Sequence, residues 1–185
     1  MDGDGEAGGA APAGPEAQAP GPSAAEMRRL RARFAAGVTV VTMRTPEGLR
    51  GVTVSNFAVV SLSPPRVAVA IEHGLESEAL LTAAGAFGVS ILSNRQELLA
   101  ERFAGRAFLV DGEFTGVPYH TRVTGAPLLD DAMAWFDCRL EQHLDVGDHT
   151  LFIARVVAAA GASNPAPPLL YYDRYYASID NPRRP

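Results

Sequence analysis

The sequence predicts a mainly β protein with a few short helices, its strands arranged as an antiparallel barrel. Three observations predict it. Short runs of alternating or continuous apolar residues recur along the 185-residue chain, with turn formers between them and few helical patterns to carry parallel crossovers. Hydrophobic residues make up 47% and charged residues 20%, the balance of a single globular domain with a substantial core. The third is Gly51 to Pro65, where Val52 and Val54 alternate against Thr53 and Ser55. The chain then passes through Ser55-Asn56 into a second apolar stretch, Phe57 to Leu62, closed by Pro64-Pro65. Two strands therefore meet at a polar corner whose backbone groups are not consumed by a ladder. Such a corner suits a flat heterocycle with donors and acceptors on its rim, and it equally suits a turn whose Ser and Asn satisfy themselves.

Residues 1–22 are Gly, Ala and Pro with a few acids, too poor in apolar side chains to offset the entropy of ordering, and are expected to be a disordered tail. Gly3-Asp-Gly5-Glu-Ala-Gly8 inside it has the letter pattern of a dinucleotide fingerprint without the flanking strand and helix that make one work. The folded domain is expected over 23–180, with 181–185 a C-terminal tail. Ser23-Ala-Ala-Glu26 has capping-box spacing, and Met27, Leu30 and Phe34 follow at helical intervals, predicting a helix from Ala24 to Ala36 ended by Gly37. Val38 to Met43 is the first strand, and Thr45-Pro-Glu-Gly48 turns the chain into Leu49 to Ser55. Val67 to Ile71 reads as a buried strand, Leu75 to Ala84 as a helix with Leu80 and Leu81 inward, and Phe87 to Leu92 as a strand. Asn94 to Phe103 has a helical pattern in Leu98, Leu99 and Phe103, with Ser93 or Asn94 as its cap. Residues 104–127 form an excursion over one mouth of the barrel, a candidate substrate lid. Ala134 to Leu144 and Thr150 to Ala160 are long strands, and Leu169 to Tyr172 with Tyr175 to Ser178 make a last hairpin.

Composition removes several function classes. A net charge of −5 argues against a nucleic-acid surface, which needs clustered cations to neutralise phosphates. All 16 cations are arginine, so Schiff-base chemistry through a lysine is excluded. Cys138 stands alone beside Trp135 and Phe136 and reads as a buried structural thiol. His73, His120, His143 and His149 are scattered without metal-ligand spacing, so no metal is expected. No apolar run is long enough for a membrane span and no secretion signal is visible, which makes the cytoplasm the expected compartment.

Phe34-Ala-Ala-Gly37-Val-Thr-Val-Val-Thr42, Gly51-Val-Thr-Val-Ser-Asn-Phe57, Ser61-Leu-Ser-Pro-Pro65, Gly147-Asp-His149 and Pro168-Leu-Leu-Tyr171 occur in the order seen in the flavin reductase-like family, which the chain resembles over about residues 28–178. The resemblance implies a split β-barrel that reduces FMN or FAD with NADH or NADPH, a homodimer, and a flavin-dependent monooxygenase that receives the reduced flavin. Hydride transfer from nicotinamide C4 to flavin N5 asks the protein for stacking geometry and a field rather than covalent work, which fits a chain without an evident triad.

By that resemblance Thr53, Val54, Ser55 and Asn56 line the flavin, Ser61 and Leu62 face its ribityl chain or phosphate, and Gly37, Val38 and Thr39 pack nearby. Ser77 opens a helix whose N-terminus could attract phosphate, although Glu76 and Glu78 flank it. The alternatives are that Ser77 is a plain cap and that an arginine such as Arg102 or Arg106 holds the anion. His149, in Gly147-Asp148-His149, is either a hydrogen-bonded turn residue or the residue that positions the nicotinamide at the flavin face. Tyr119 and His120 could stack over the nicotinamide or simply pack. Two rival functions use the same fold: an oxidoreductase keeping FMN bound for an organic substrate, and a non-catalytic flavin- or haem-binding module.

Overall fold

The computed structural model describes residues 21–106 and 112–179. Most of the expected tail, its glycine motif, the C-terminal residues 181–185 and five residues of the excursion lie outside the described residues. The first helix, α1 (Ala24–Arg31), opens on both arms of the expected capping box: Ser23 Oγ accepts from Glu26 N at 3.3 Å, and Glu26 Oε2 accepts from Ser23 N at 2.8 Å. It stops at Arg31 instead of Ala36 because Ala36 and Gly37 form a short strand, β1 (Ala36–Gly37), paired antiparallel with Tyr171 and Leu170. No α1 residue is buried.

The chain continues through β2 (Thr39–Thr45), β3 (Gly48–Val54), β4 (Phe57–Leu62), β5 (Pro65–Glu72), α2 (Glu76–Ala84) and β6 (Ala86–Ile91). A single 3-10 turn, Asn94–Gln96, leads into α3 (Glu97–Phe103), so the expected second amphipathic helix begins one turn late. Ser93 caps that turn through a reciprocal bond with Gln96. The two-residue strand β7 (Tyr119–His120) inside the excursion pairs with β8 (Leu128–Leu129) just after it; long β9 (Ala134–Val146) and β10 (His149–Gly161) follow, then β11 (Leu169–Tyr172) and β12 (Tyr175–Ser178).

Seven strands make one antiparallel sheet in the order β3-β2-β6-β9-β10-β5-β4. Its two edges are consecutive in the chain, and only Ser55 and Asn56 separate Val54 from Phe57. A flat sheet of seven strands would hold its edges about 29 Å apart, whereas this link spans at most about 11 Å. The sheet must therefore curl upon itself, with its ladder interrupted between β3 and β4, as the sequence expectation of a split antiparallel barrel requires. Register shifts at Ile153/Ala154 and Val156/Ala158 along β9 and β10 supply local bends of the kind that sharpen twist.

Two cores lie on opposite faces of β2, which explains why Thr39 to Met43 are all buried. Val41 and Met43 pack with Val67, Val69, Ile71, Phe87, Phe152 and Leu81 of α2 inside the barrel. Val38 and Val40 pack outside it with Leu92, Ala100, Phe103, Leu129 and Leu169, beneath α3 and the C-terminal strands. Cys138 is fully buried, and burial reinforced by the Asp137 charge pushes its thiol up to about 12, so it stays protonated and unreactive at neutral pH.

The excursion is anchored away from the corner. Glu113 accepts from Gly51 N at 2.9 Å, Arg102 donates to Thr115 O at 2.9 Å, and Asp137 accepts from Thr124 N at 3.0 Å. Gly88 of β6 sits against its far end: a Cβ there would meet Thr42 Oγ1 at 2.7 Å, Leu128 Cδ2 at 2.9 Å and the Pro127 carbonyl closer still. Gly88→Ala should thus force backbone apart, costing about 2 kcal/mol and lowering the thermal midpoint by about 4–8 °C in calorimetry; an unchanged midpoint would show that the 125–129 segment does not pack there.

Candidate functional site

The link that closes the barrel is also the wall of a cleft of about 580 Å³, within the range of small-molecule sites. The Asn56 carbonyl accepts from Ala70 N at 3.0 Å, fixing the link to β5. Its carboxamide makes no hydrogen bond among the described residues and lines the cleft beside Ser55. Ser55 Oγ accepts from the Arg31 guanidinium at 3.0 Å. Ala68, Ala70 and Leu151, on neighbouring strands β5 and β10, give the cleft a low apolar floor, and Phe34 and Tyr171 bound it on the side of α1 and β11. A smaller depression of about 270 Å³ shares Arg31, Asn56, Ala70 and Leu151 and adds Val146 and His149. Asn56 thus stands where the two meet.

His149 begins β10 after a two-residue turn, Gly147-Asp148, in which Gly147 takes φ +64°, a left-handed conformation that glycine adopts without steric cost. His149 Nδ1 lies 2.6 Å from Asp148 Oδ1. The imidazole bond, then its charge, hold the Asp148 carboxyl below the usual carboxylate range, so Asp148 is the acceptor and Nδ1 the donor. Nε2 has no hydrogen-bond partner among the described residues. The turn is tied to the end of β5 by His73 N donating to the Asp148 carbonyl at 2.9 Å.

Other expected site residues are placed elsewhere. Thr53 turns its hydroxyl to the Ala100 carbonyl at 2.7 Å, and Val54 points into the barrel core. Thr39 donates to the Val54 carbonyl at 2.8 Å, Val38 belongs to the outer core, and Gly37 serves the β1–β11 pairing. Ser61 and Leu62 close β4, and neither lines the cleft; Leu62 is 87% exposed. Ser77 is the second residue of α2, whose cap position is Leu75 without a side-chain cap, so Ser77 is not the cap. Glu78 occupies that helix end instead: it accepts from Gly74 N at 3.2 Å and from Thr150 Oγ1 at 2.6 Å. Of the arginines considered for an anion, Arg102 serves the excursion and Arg106 pairs with Glu101 at 3.1 Å. His120 bonds Asp130 at 2.7 Å and packs edge-on to Trp135, and no described residue of the excursion lines either depression.

Sequence reasoning missed Arg28 and Arg31 of α1 and Arg174 of the β11–β12 turn, all of which line the larger cleft. The i, i+3 spacing of Arg28 and Arg31 on an amphipathic helix was the available signal. Nothing local to Arg174 reveals that the C-terminal hairpin folds back onto α1, where Asp173 N donates to the Ala32 carbonyl at 2.9 Å.

Residues 30–180 match the family described as "Flavin reductase like domain", and the chain belongs to that family. It is 42% identical over 152 residues to the NADH-dependent flavin reductase StyB of Pseudomonas fluorescens, covering 80% of this chain and 86% of that one. The solved styrene monooxygenase flavin reductase SMOB of Pseudomonas putida S12 superposes with a TM-score of 0.76 at 38% identity, over 85% of this chain and 99% of that one. The NADH:FAD oxidoreductase SgcE6 of Streptomyces globisporus C-1027, solved in complex with NAD and FAD fragments, gives a TM-score of 0.77 at 33% identity over 84% and 92%.

The Thr150 hydroxyl is the largest cause of a lowered Glu78 carboxyl, so Glu78 is a carboxylate in the folded state at a pH where it would otherwise begin to protonate. Because the folded value lies below the unfolded one, the contact contributes fully above the ordinary glutamate range and is lost as pH falls through the folded value. Thr150→Val should move the Glu78 carboxyl titration upward in carbon-detected NMR, with a stability deficit present at pH 7 that narrows below about pH 4. An unmoved titration would show that Glu78 does not hold this helix end.

Proposed function

We propose that the protein is an NADH-dependent flavin reductase that transfers hydride to FMN or FAD and hands the reduced flavin to a monooxygenase component, as a cytoplasmic homodimer. The observation that carries the reading is the meeting of two depressions at Asn56, one walled by Ser55 and guanidinium groups and the other by His149, in a chain 42% identical to an NADH-dependent flavin reductase. The residues present fit a flavin: a flat apolar floor for its ring system, an uncommitted carboxamide and a serine for its polar edge, and arginine for negative charge. When bound, flavin supplies the hydride acceptor and the nicotinamide the donor.

The chain's own contribution is positional. Asn56 can both donate and accept toward the ring edge, since its backbone is already fixed to β5. Arg31 places a positive charge beside that edge, favouring negative charge on a reduced ring. His149, its Nδ1 committed to Asp148, presents Nε2 to a carboxamide in the smaller depression, which orients the donor without proton transfer. The homodimer is supported by apolar side chains exposed on edge strand β4, Val59, Val60 and Leu62, and by Tyr175 of the last hairpin.

Steady-state NADH oxidation should rise with added free flavin; turnover independent of it and requiring an organic acceptor would favour a resident FMN enzyme, and no turnover would favour a binding module. Light scattering should give twice the chain mass at micromolar concentration, and a monomer mass would remove the dimer from the reading.

Asn56→Leu should weaken flavin binding about tenfold to a hundredfold while the fold stays intact, the worth of a hydrogen bond to a buried partner. An unchanged flavin titration would move the site elsewhere. His149→Ala should bind oxidised flavin nearly normally and reduce it about tenfold more slowly under anaerobic stopped flow, equivalent to about 1.4 kcal/mol. If His149 merely fastened the turn, flavin affinity and thermal stability would fall together with the rate.

A further inference from the structure

Resting on the flavin reading above, we propose that Arg28 and Arg174 form the phosphate subsite of the large cleft, so that the protein selects the phosphorylated flavins, FMN and FAD, over riboflavin. Three features of the structure lead there. First, the helix end expected to hold the phosphate is already taken by an anion. The Glu78 carboxylate occupies the α2 N-terminus, bonded to Gly74 N at 3.2 Å and to the Thr150 hydroxyl at 2.6 Å, and neither Ser77 nor Glu78 lines the cleft. A phosphate there would meet a like charge in place of free N–H groups.

Second, the cleft has its own cations. Arg28 and Arg31 lie three residues apart on one face of α1, and Arg174 reaches the same cleft from the hairpin bonded to the end of that helix. None of the three has a carboxylate within 4 Å among the described residues, whereas Arg66, Arg106 and Arg155 elsewhere are paired with glutamates. Arg31 is committed to Ser55, which leaves Arg28 and Arg174 as guanidinium groups with open donors. Asp173 also lines the cleft and the Asp148 carboxylate feels the Arg28 charge from beyond ion-pair distance, so three guanidinium groups face two carboxylates and the net local charge is positive in a chain whose overall charge is −5.

Third, Arg174 stands in a conformation that disfavours it. Tyr172 and Tyr175 are a cross-strand pair, so Asp173 and Arg174 are the two central residues of the hairpin turn, with φ +48° and +71°. That turn type favours Asn followed by Gly, because both centres are left-handed. An arginine at the glycine position spends turn stability on a side chain that faces the cleft, the pattern of strain held at a functional site. Planar, bidentate guanidinium groups suit phosphate oxygens.

The dinucleotide donor also carries phosphates, and the experiment separates the two sources. Riboflavin, FMN and FAD are titrated against the full chain by fluorescence, and the KM for NADH is measured, for the wild type, Arg174→Gly, Arg28→Ala and the double variant. Wild type should bind FMN and FAD at least about tenfold more tightly than riboflavin. Arg174→Gly and Arg28→Ala should each remove about tenfold of FMN and FAD affinity and leave riboflavin unchanged, and added salt should weaken FMN more than riboflavin. Arg174→Gly should keep or raise the thermal midpoint, which distinguishes lost recognition from lost folding. Equal wild-type affinity for riboflavin and FMN, equal losses for all three flavins, or unchanged flavin affinities with a raised KM for NADH would each overturn the subsite. A wild type that binds none of the flavins would overturn the reductase reading itself.

Discussion

The structure depends on one geometric constraint: two residues, Ser55 and Asn56, must join the opposite edges of a seven-stranded sheet. The curl that satisfies it encloses Val41, Met43, Phe87 and Phe152 as a core. It also leaves backbone and side chains at the join outside the main ladder, because a strand pairing cannot continue through the split. One consequence is a polar, concave corner on an apolar floor; the barrel makes a ring-sized recess at the place where its own hydrogen bonding is interrupted. The Ala70 N–H donating to the Asn56 carbonyl fastens the link while the Asn56 carboxamide has no partner among the described residues.

The second wall is built differently. α1 buries none of its residues, and Phe34 remains 76% exposed although it borders the cleft. What holds this wall is a chain of local bonds: Arg31 to Ser55, Asp173 N to the Ala32 carbonyl, and β1 paired to β11. The left-handed Arg174, at the position this turn reserves for glycine, adds strain of about 1–2 kcal/mol in the hairpin that closes it. A core-anchored floor thus faces a wall attached chiefly by polar contacts, and the two halves of the site differ in what it costs to move them.

Most of the sheet was legible from sequence because periodicity and turn chemistry report it directly: the β9–β10 hairpin, the last hairpin and the Ser23–Glu26 capping box all stand where their residues indicated. Two errors share a cause in tertiary pairing. Helix α1 ends early because Ala36 and Gly37 are claimed by β11, over 130 residues away, and Leu128 and Leu129 form a strand only because Tyr119 and His120 fold back on them. Within the candidate site, Ser55 and Asn56 stood out as a polar pair between two apolar strands, a pattern that a self-satisfied turn shares, and it was the family resemblance that favoured a binding corner. Thr53 was not, since an alternating strand says which face a side chain takes but not that the Ala100 carbonyl waits there. The arginine wall was invisible for the same reason that Ser77 misled: whether a charge is free or already paired depends on partners distant in sequence.

That distinction bears on why such a site can exchange its ligand. In the proposed reading Asn56 and His149 set the geometry, and both are fixed, through backbone bonds to β5 and through the β9–β10 hairpin, whose local opening would disturb the barrel. Residues that supply charge, Arg28 and Arg31, ride on a helix with no buried side chain, and segments with few buried apolar contacts open at low free energy. A flavin that arrives oxidised and leaves reduced needs a fixed ring position for hydride transfer and a wall that yields afterwards. In that reading the positional groups sit on the barrel and the electrostatic groups on the loosely packed helix, so that displacing α1 weakens attraction for the ligand while the Asn56 backbone stays bonded to β5 and His149 stays in its hairpin.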